Sequence, residues 1–567
     1  MTAVREPRLD RGQFHFLAAR SPNALFVSVV VGILGGAAYA TLVPLILLSL
    51  SPVAPLLGEF VEQTPRFLFG LQIAHPKFAL AFALMCVFAL VARAVAQLIF
   101  GNITTSAVSD MRLFFAERIR RLPIQDLESL GAAKLENALN IDISRLVDGV
   151  SMYPIILSNA STIVCALAFM AFLHVKVFVL VVCVLTFGVL SYRLPLVLGQ
   201  RYFRRAREAR DGVQESIGAQ VRGAKELKLS AARYEQFMDD GMRKDEANIV
   251  RWLRRGNAIL FLAVHYGNLI GLVAIGAISF VAAPLYGLST ELLVSIVMAM
   301  LYIIGPVGII ANTFPGLVQG TVALGKLNTL LGSMPTEAAV DDPHPPVCNS
   351  VRLERVGFTY PRTDGFSIGP ISLELRRGEV TFIVGGNGSG KSTLAKIVSC
   401  HYNATSGRML YDDLELDQTM VYRAREGICA IYLDFYLFTH LFGQSPEALE
   451  KANVYLEKLG LAGKVRIEDG MFSTTELSSG QRKRLALLVA FLEDRNIYVF
   501  DEWAADQDPE FKRVFYTELL PELRSRNKIV LVISHDDRYF DQADQLIFME
   551  HGKVISTERR ETLDMPA

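Results

Sequence analysis

The sequence predicts an all-α transmembrane domain of six helices followed by an α/β phosphate-loop nucleotide-binding domain, and three observations carry that prediction. The 567 residues are 51% hydrophobic with a mean hydropathy of +0.32, too long for one domain and too apolar for an ordinary water-soluble chain. Six apolar stretches in the first half each approach the roughly 20 residues that a helix needs to cross a bilayer. The second half holds Val380 to Thr393, reading VTFIVGGNGSGKST, an apolar strand run into a Gly-rich turn that ends in Gly-Lys-Ser.

The expected organisation is a cytoplasmic or interfacial segment over residues 1–20, a transmembrane domain over 21–332, a linker over 333–346 and a nucleotide-binding domain over 347–567. The first segment is polar, carries Arg5, Arg8 and Arg11, and has no apolar core of the signal-peptide kind. Phe14, Phe16 and Leu17 beside His15 and Arg20 fit a short helix lying on a membrane surface; a disordered leader fits equally. Lys plus Arg equal Asp plus Glu at 57 each, so no net basic field recruits nucleic acid. The six cysteines follow no metal-ligand or C-x-x-C spacing and read as small apolar residues rather than disulfides.

The apolar stretches run approximately from Ala24 to Leu50, Phe78 to Gly101, Val150 to Leu173, Val175 to Leu198, Ala258 to Leu285 and Leu292 to Leu317. An even number of crossings returns the chain to its starting side. Lys and Arg crowd the intervals Arg112 to Arg145 and Arg193 to Arg255, whereas the other connections hold little more than Arg66, Lys77 and Lys176. The positive-inside bias therefore puts both intervals in the cytoplasm, with the N-terminus and the nucleotide-binding half. Both intervals favour helix and read as extensions of the spans. Each contains a candidate cross-helix, Leu122 to Gly131 and Gly218 to Leu227, that suits docking onto a neighbouring domain; plain solvated faces are the competing reading.

Ionisable and strongly polar groups are costly inside an apolar span and mark candidate cargo contacts. Arg93 and Gln97 share one helix face; His265, Tyr266 and Asn268 cluster in the fifth span; Tyr302, Asn312 and Gln319 lie in or near the sixth, which Pro306 and Pro315 should bend. The expected cavity set is Arg93, His265, Tyr266, Asn268 and Tyr302. Helix-to-helix hydrogen bonding accounts for the same residues without a ligand.

Four prolines in Ser333 to Pro346 mark the linker, after which short β-rich runs alternate with amphipathic helices. In the phosphate loop, Gly385, Asn387, Gly388, Ser389 and Gly390 turn backbone N–H groups toward an anion, and the helix that follows adds its positive end. Lys391 then reaches the β/γ-phosphates, Ser392 holds Mg²⁺, and Thr393 opens the helix. Tyr360, upstream in Phe358-Thr-Tyr360, can stack on adenine. The strand Asn496 to Phe500 ends in Asp501-Glu502, where the first carboxylate can hold Mg²⁺ through water and the second can polarise the attacking water. The strand Lys528 to Ile533 ends in Ser534-His535, whose imidazole can donate to a γ-phosphate.

Leu477-Ser-Ser-Gly-Gln481, ahead of the helix-forming run Arg482 to Leu487, resembles the signature of the ATP-binding cassette transporters, which read L-S-G-G-Q at this point. The resemblance covers essentially the whole chain in the arrangement of an exporter half-transporter. It implies that Ser478, Gly480 and Gln481 face the nucleotide of an opposite subunit, that Glu502 is the general base, that His535 is the switch residue and that Asp508 is the acid of the loop after Glu502. One cassette per chain implies a homodimer around two ATP molecules with Mg²⁺, placed as a multi-pass protein in a bacterial inner membrane.

The strings LSSGQRKRLALL, FDEWAADQDPEFKRVFY and ISHDDRYFDQADQLIF resemble the bacterial cyclic-peptide and siderophore-peptide exporters of the pyoverdine, syringomycin and microcin type. That likeness implies export of a peptide-type compound: a cyclic or lasso peptide, a siderophore or its precursor. A multidrug or lipid exporter is the nearest alternative; an importer on the same frame and a nucleotide-gated channel or receptor are others. The chain departs from the family in Tyr432-Leu433-Asp434, where the family has a metal-touching glutamine at the position of Leu433, and in Ser479 for the second signature glycine. Leucine cannot ligate a metal, which leaves that loop's coupling role open and asks Asp434 or water to substitute.

Overall fold

The computed structural model describes residues 21–50, 66–68, 71–73, 76–337, 345–346, 348–360 and 365–560. The expected segment 1–20 and residues 338–344 of the expected linker lie outside them. By internal contacts the chain forms two units, one of residues up to Phe114 with Asn137–Leu330, the other of Phe115–Glu136 with Leu331 onward.

The first unit is helical. Its long elements are α1 (Pro22–Leu50), α2 (Pro76–Arg120), α4 (Tyr153–Leu173), α5 (Val175–Arg222), α6 (Arg243–Ala277) and α7 (Thr290–Gly332); the short α3 (Ile124–Leu130), after the end of α2, belongs to the second unit. Among the described residues five helices are long and apolar enough to cross a membrane, and the fourth expected span falls in the first part of α5, where Val175–Gly188 is the apolar stretch. At about 1.5 Å per residue, the 45 residues of α2 and the 48 of α5 extend well beyond an apolar layer of about 30 Å. Helix continues through both basic intervals as the sequence predicts. It breaks at Leu122 and Pro123 before α3, and at Gly223 before the short helix Ala224–Lys228.

Small residues let the membrane helices touch backbone to backbone. A Cβ added at Gly36 of α1 would lie 2.1 Å from the Ser158 carbonyl oxygen of α4, so only glycine fits there. Hydroxyls bind the same contact: Thr162 Oγ1 donates to the Gly36 carbonyl at 2.9 Å and Ser161 Oγ to that of Ile33 at 2.9 Å, while Ser28 Oγ joins α1 to the Ala96 carbonyl of α2 at 2.8 Å. Lipid tails are as apolar as leucine, so close backbone packing and such bonds are what can hold these helices together. A separate apolar core of Met170, Val181, Ile278, Met300 and Ile303 ties α4, α5 and α7 to the π-helical turn Ile278–Ala282.

The second unit is built on two sheets. Strands β1 (Ser350–Thr359), β2 (Ser367–Arg376), β4 (Ser406–Tyr411) and β5 (Leu414–Glu415) form an antiparallel sheet in the order β2-β1-β4-β5. Strands β3 (Val380–Val384), β6 (Ile428–Ile431), β7 (Ile497–Asp501), β8 (Ile529–Ile533), β9 (Gln545–Glu550) and β10 (Lys553–Arg559) form the other, in the order β10-β9-β3-β8-β7-β6, parallel apart from β10. Every residue of β7 and β8 is buried, as expected for a parallel sheet covered on both faces. Alternate side chains separate the two cores: Phe382, Tyr498, Phe500, Val530 and Val532 face the cluster that contains α9 (Ser479–Glu493), and Ile383, Val499, Leu531 and Ile533 face the one that contains α8 (Lys391–Val398).

The close approach at Gly36 yields a test of the helical packing. Gly36→Val forces backbones apart and is expected to cost about 1–3 kcal/mol, read as a lower thermal midpoint in detergent, with Gly101→Ala as the unhindered control.

Candidate nucleotide site

The register of the central strands assembles the site. Ile383 of β3 pairs with Ile533 of β8, and Ile533 pairs with Asp501 of β7, so three parallel strands end side by side. From that edge emerge the phosphate loop, Asp501-Glu502 and Ser534-His535. Residues more than a hundred positions apart in the chain thus meet because parallel strands carry their C-terminal ends to one edge, where α/β sheets bind ligands.

The loop closes around its lysine. Gly390 caps α8 at φ +99°, and a Cβ there would sit 2.6 Å from Ile368 Cγ2, so glycine is required on both counts. Lys391 Nζ donates to the carbonyls of Gly385 and Gly386 at 2.8 and 3.0 Å, and burial lowers its pKa. The hydroxyl of Ser389 is buried without a partner among the described residues, as suits a group aimed at a ligand. A cavity of about 550 Å³ has Gly385 to Ser389 on one wall and Phe548, Met549 and His551 on another.

Ser392 Oγ donates to Asp501 Oδ1 at 3.1 Å, and burial raises the Asp501 pKa. A hydroxyl and one carboxylate are hard oxygen donors of the kind Mg²⁺ takes when phosphate and water complete its shell. Glu502 Oε1 and His535 Nε2 lie 3.0 Å apart at the mouth of the site. Glu502 adopts φ +50°, a left-handed conformation that costs a non-glycine residue of order 1–3 kcal/mol. Its backbone N–H is held by the Ile533 carbonyl at 3.2 Å and its carbonyl by Lys483 Nζ at 3.2 Å.

Lys483 belongs to no sequence motif of its own. It is almost fully buried on α9, pairs with Asp506 at 2.9 Å, and lowers the pKa of that carboxyl through the bond and the charge. The indole of Trp503 donates to the Lys483 carbonyl at 2.9 Å and stacks on Phe515 with centroids 4.5 Å apart. Gln507 Nε2 donates to the Gly480 carbonyl at 3.0 Å, and Arg484 reaches Gln507 Oε1 at 2.9 Å and the Asp508 carboxylate. Asp508 also caps the helix Pro509–Val514 by accepting from Phe511 N at 2.9 Å. The α9 start is a capping box: Ser478 Oγ accepts from Gln481 N and Gln481 Oε1 from Ser478 N. The signature turn and the loop after Glu502 therefore form one bonded body.

The Tyr360 hydroxyl meets Thr393 Oγ1 at 2.9 Å, which fixes the tyrosine beside the first turn of α8. The expected membrane set divides. Arg93 donates to Thr162 Oγ1 at 2.8 Å and lies 4.1 Å from the centre of the Tyr39 ring, which stacks on Tyr302 at 5.2 Å. Tyr266 instead donates to Ser191 Oγ at 2.9 Å, and His265 is exposed. The side chain of Asn268 lies outside the described residues.

Leu433 is 59% exposed, and the preceding Tyr432 anchors the loop. Its hydroxyl bonds to Ser399 Oγ and to His401 Nδ1, the latter at 2.8 Å, and burial, helped by Arg425 and Lys396, pushes the His401 pKa down to about 4.

The ABC transporter family model matches residues 368–505. The chain is 34% identical over 464 residues, 79% of its length and 82% of the relative's, to the ATP-binding protein SyrD of Pseudomonas syringae pv. syringae. It is 24% identical over 468 residues, 79% of its length and 77% of the relative's, to the ATP-dependent lipid A-core flippase of Nitrosococcus oceani. It superposes with a TM-score of 0.73 on a bacterial Atm1-family ABC exporter with ATP bound, covering 95% of this chain and 96% of that one at 16% identity, a likeness of fold.

The depressed His401 pKa sets a pH dependence. The imidazole is neutral in the fold but takes up a proton near pH 6.5 when unfolded, so its contribution is complete above about 6.5 and is lost as pH falls toward 4. Thermal midpoints measured from pH 7.5 to 5.0 are expected to drop less in His401→Gln than in the parent protein; equal slopes would remove His401 from this role.

Proposed function

The chain belongs to the ABC transporters, a family whose ATP hydrolysis is coupled to transport, and from that premise we propose that it is a homodimeric exporter of a peptide-type compound from the cytoplasm across a bacterial inner membrane. The observation that carries the hydrolytic part is the shared edge of β3, β7 and β8, which unites an anion loop, a hydroxyl–carboxylate pair and a carboxylate–imidazole pair. The cargo class rests on the likeness of LSSGQRKRLALL and its companion strings to cyclic-peptide and siderophore-peptide exporters. The flippase relatives favour lipid as the second reading.

In this reading Gly385, Asn387, Gly388, Ser389, Gly390, Lys391 and Thr393 cradle the phosphates of ATP, and Tyr360 supports the adenine. Ser392 and Asp501 would hold Mg²⁺, which neutralises charge on the β- and γ-oxygens. Glu502 takes the proton of the attacking water, while His535 orients Glu502 and donates to the γ-phosphate. Ser478, Gly480 and Gln481 of the second copy close over the nucleotide, and Asp508 with Arg484 keeps that turn rigid. Closure opens the membrane half outward, and hydrolysis resets it. Arg93, His265, Tyr266, Asn268 and Tyr302 are the cargo contacts of this reading, with Arg93 and Tyr302 joined through the Tyr39 ring.

Glu502→Gln is expected to bind ATP within about threefold of wild type and to lose at least about a hundredfold in kcat by phosphate release. Unchanged hydrolysis would remove Glu502 as the base. Lys391→Ala is expected to abolish nucleotide binding, and normal affinity by equilibrium titration would contradict the phosphate cradle. Inside-out vesicles supplied with ATP should accumulate a labelled cyclic peptide or siderophore; accumulation of lipid A or a cationic drug instead would reassign the cargo, and ATP-driven loss would reverse the direction.

A further inference from the structure

The chain has Leu433 where its family has a glutamine that touches the metal and couples to the membrane part, and a leucine side chain has no polar atom with which to reach a metal. A different contact reaches the nucleotide site from the segment that continues α2. The carboxylate of Glu128, on α3, is gripped at both oxygens: Oε1 accepts Lys396 Nζ at 2.8 Å, and Oε2 accepts the Tyr402 hydroxyl. Lys396 stands on α8, five residues after Lys391, and its Nζ also lies 3.3 Å from the Tyr402 hydroxyl.

Tyr402 carries the link into the pocket wall. It is 3% exposed, stacks on Phe358 with centroids 4.9 Å apart, and meets the edge of Tyr360 at 5.9 Å. Tyr360 in turn touches Thr393 on the first turn of α8, and Ile124 of α3 packs against the same apolar cluster. The approach to α3 is pinned as well: Arg118 donates to the Met334 carbonyl at 2.7 Å, Glu337 N donates to the Arg121 carbonyl at 2.8 Å, and Glu337 is paired with Arg425 at 2.7 Å. Anything that turns α8 or moves the Tyr360–Tyr402 pair therefore pulls on a short helix attached directly to α2.

We propose that Glu128 is a positioning residue that couples nucleotide engagement to the membrane helices through Lys396 and Tyr402, replacing the missing glutamine contact. The inference rests on the ATP-hydrolysis reading above. An ion pair this open to solvent adds little stability, so its worth lies in geometry and shows in turnover rather than in folding.

The test uses the full-length protein in lipid nanodiscs, with kcat and KM for ATP measured by phosphate release. Glu128→Gln and Lys396→Gln are each expected to lower kcat about fivefold or more, the size of a typical coupling, with KM changed less than about twofold. The reversal Glu128→Lys with Lys396→Glu should recover kcat to within about twofold of wild type. Tyr402→Phe, which deletes one hydroxyl, should fall between wild type and Glu128→Gln, and Leu433→Ala should match wild type. Wild-type kcat in Glu128→Gln, a defect in KM alone, failure of the reversal to recover turnover, or a large loss in Leu433→Ala would each overturn the proposal. Hydrolysis that depends on Glu502 but ignores Glu128 defeats this link alone; hydrolysis that ignores Glu502 defeats the reading beneath it.

Discussion

The structure depends on the parallel register of three buried strands. Because Ile383, Ile533 and Asp501 stand in adjacent pairing positions, the phosphate loop, the Asp501–Glu502 pair and His535 leave the sheet at one edge. A slip of one residue would turn alternate side chains to the opposite face, exchanging Phe500 and Val532 with Val499 and Leu531 between two different cores. The packing of both helical layers thus enforces the alignment of the site. Catalytic geometry and core composition are one constraint here.

That constraint explains what could be read in advance. The phosphate loop, the strand-end acids and His535 are local strings whose chemistry is set by residue type and spacing, and the sheet had only to bring them together. The six apolar stretches were legible because span length is a direct consequence of bilayer thickness. The contacts made by Lys483 and Glu128 were not. Each depends on a partner on another element: Lys483 on the Glu502 carbonyl and Asp506, Glu128 on a lysine and a tyrosine about 270 residues downstream. Neither residue breaks the pattern of its own helix, so nothing local announces it. The membrane set divided for a related reason, since helical spacing gives a face but not which helix that face meets.

Within the membrane unit, polar groups serve the packing as well as any ligand. Thr162 accepts from Arg93 and donates to the Gly36 carbonyl, so the residue that receives the intramembrane cation also fastens the closest helix contact. A guanidinium keeps its charge under almost any surroundings, and the Tyr39 ring and Thr162 hydroxyl supply part of the solvation that lipid withholds. The group proposed to meet cargo is thus already a helix contact.

The same economy governs the acid at the end of β7. Glu502 occupies a left-handed conformation that an isolated chain would leave at once, and a local hydrogen bond alone would not hold it. What holds it is a wall: the Lys483 ammonium on its carbonyl, Asp506 compensating that buried charge, and the Trp503 indole bonded to the Lys483 backbone and stacked against Phe515. Since Lys483 belongs to the helix that begins with the signature turn, the conformation of one strand end is fixed by the helix whose start is proposed to face the nucleotide of a second copy. A shift of that turn on closure would then reach the Glu502 backbone through a buried charge pair, with no loose segment in between to absorb it.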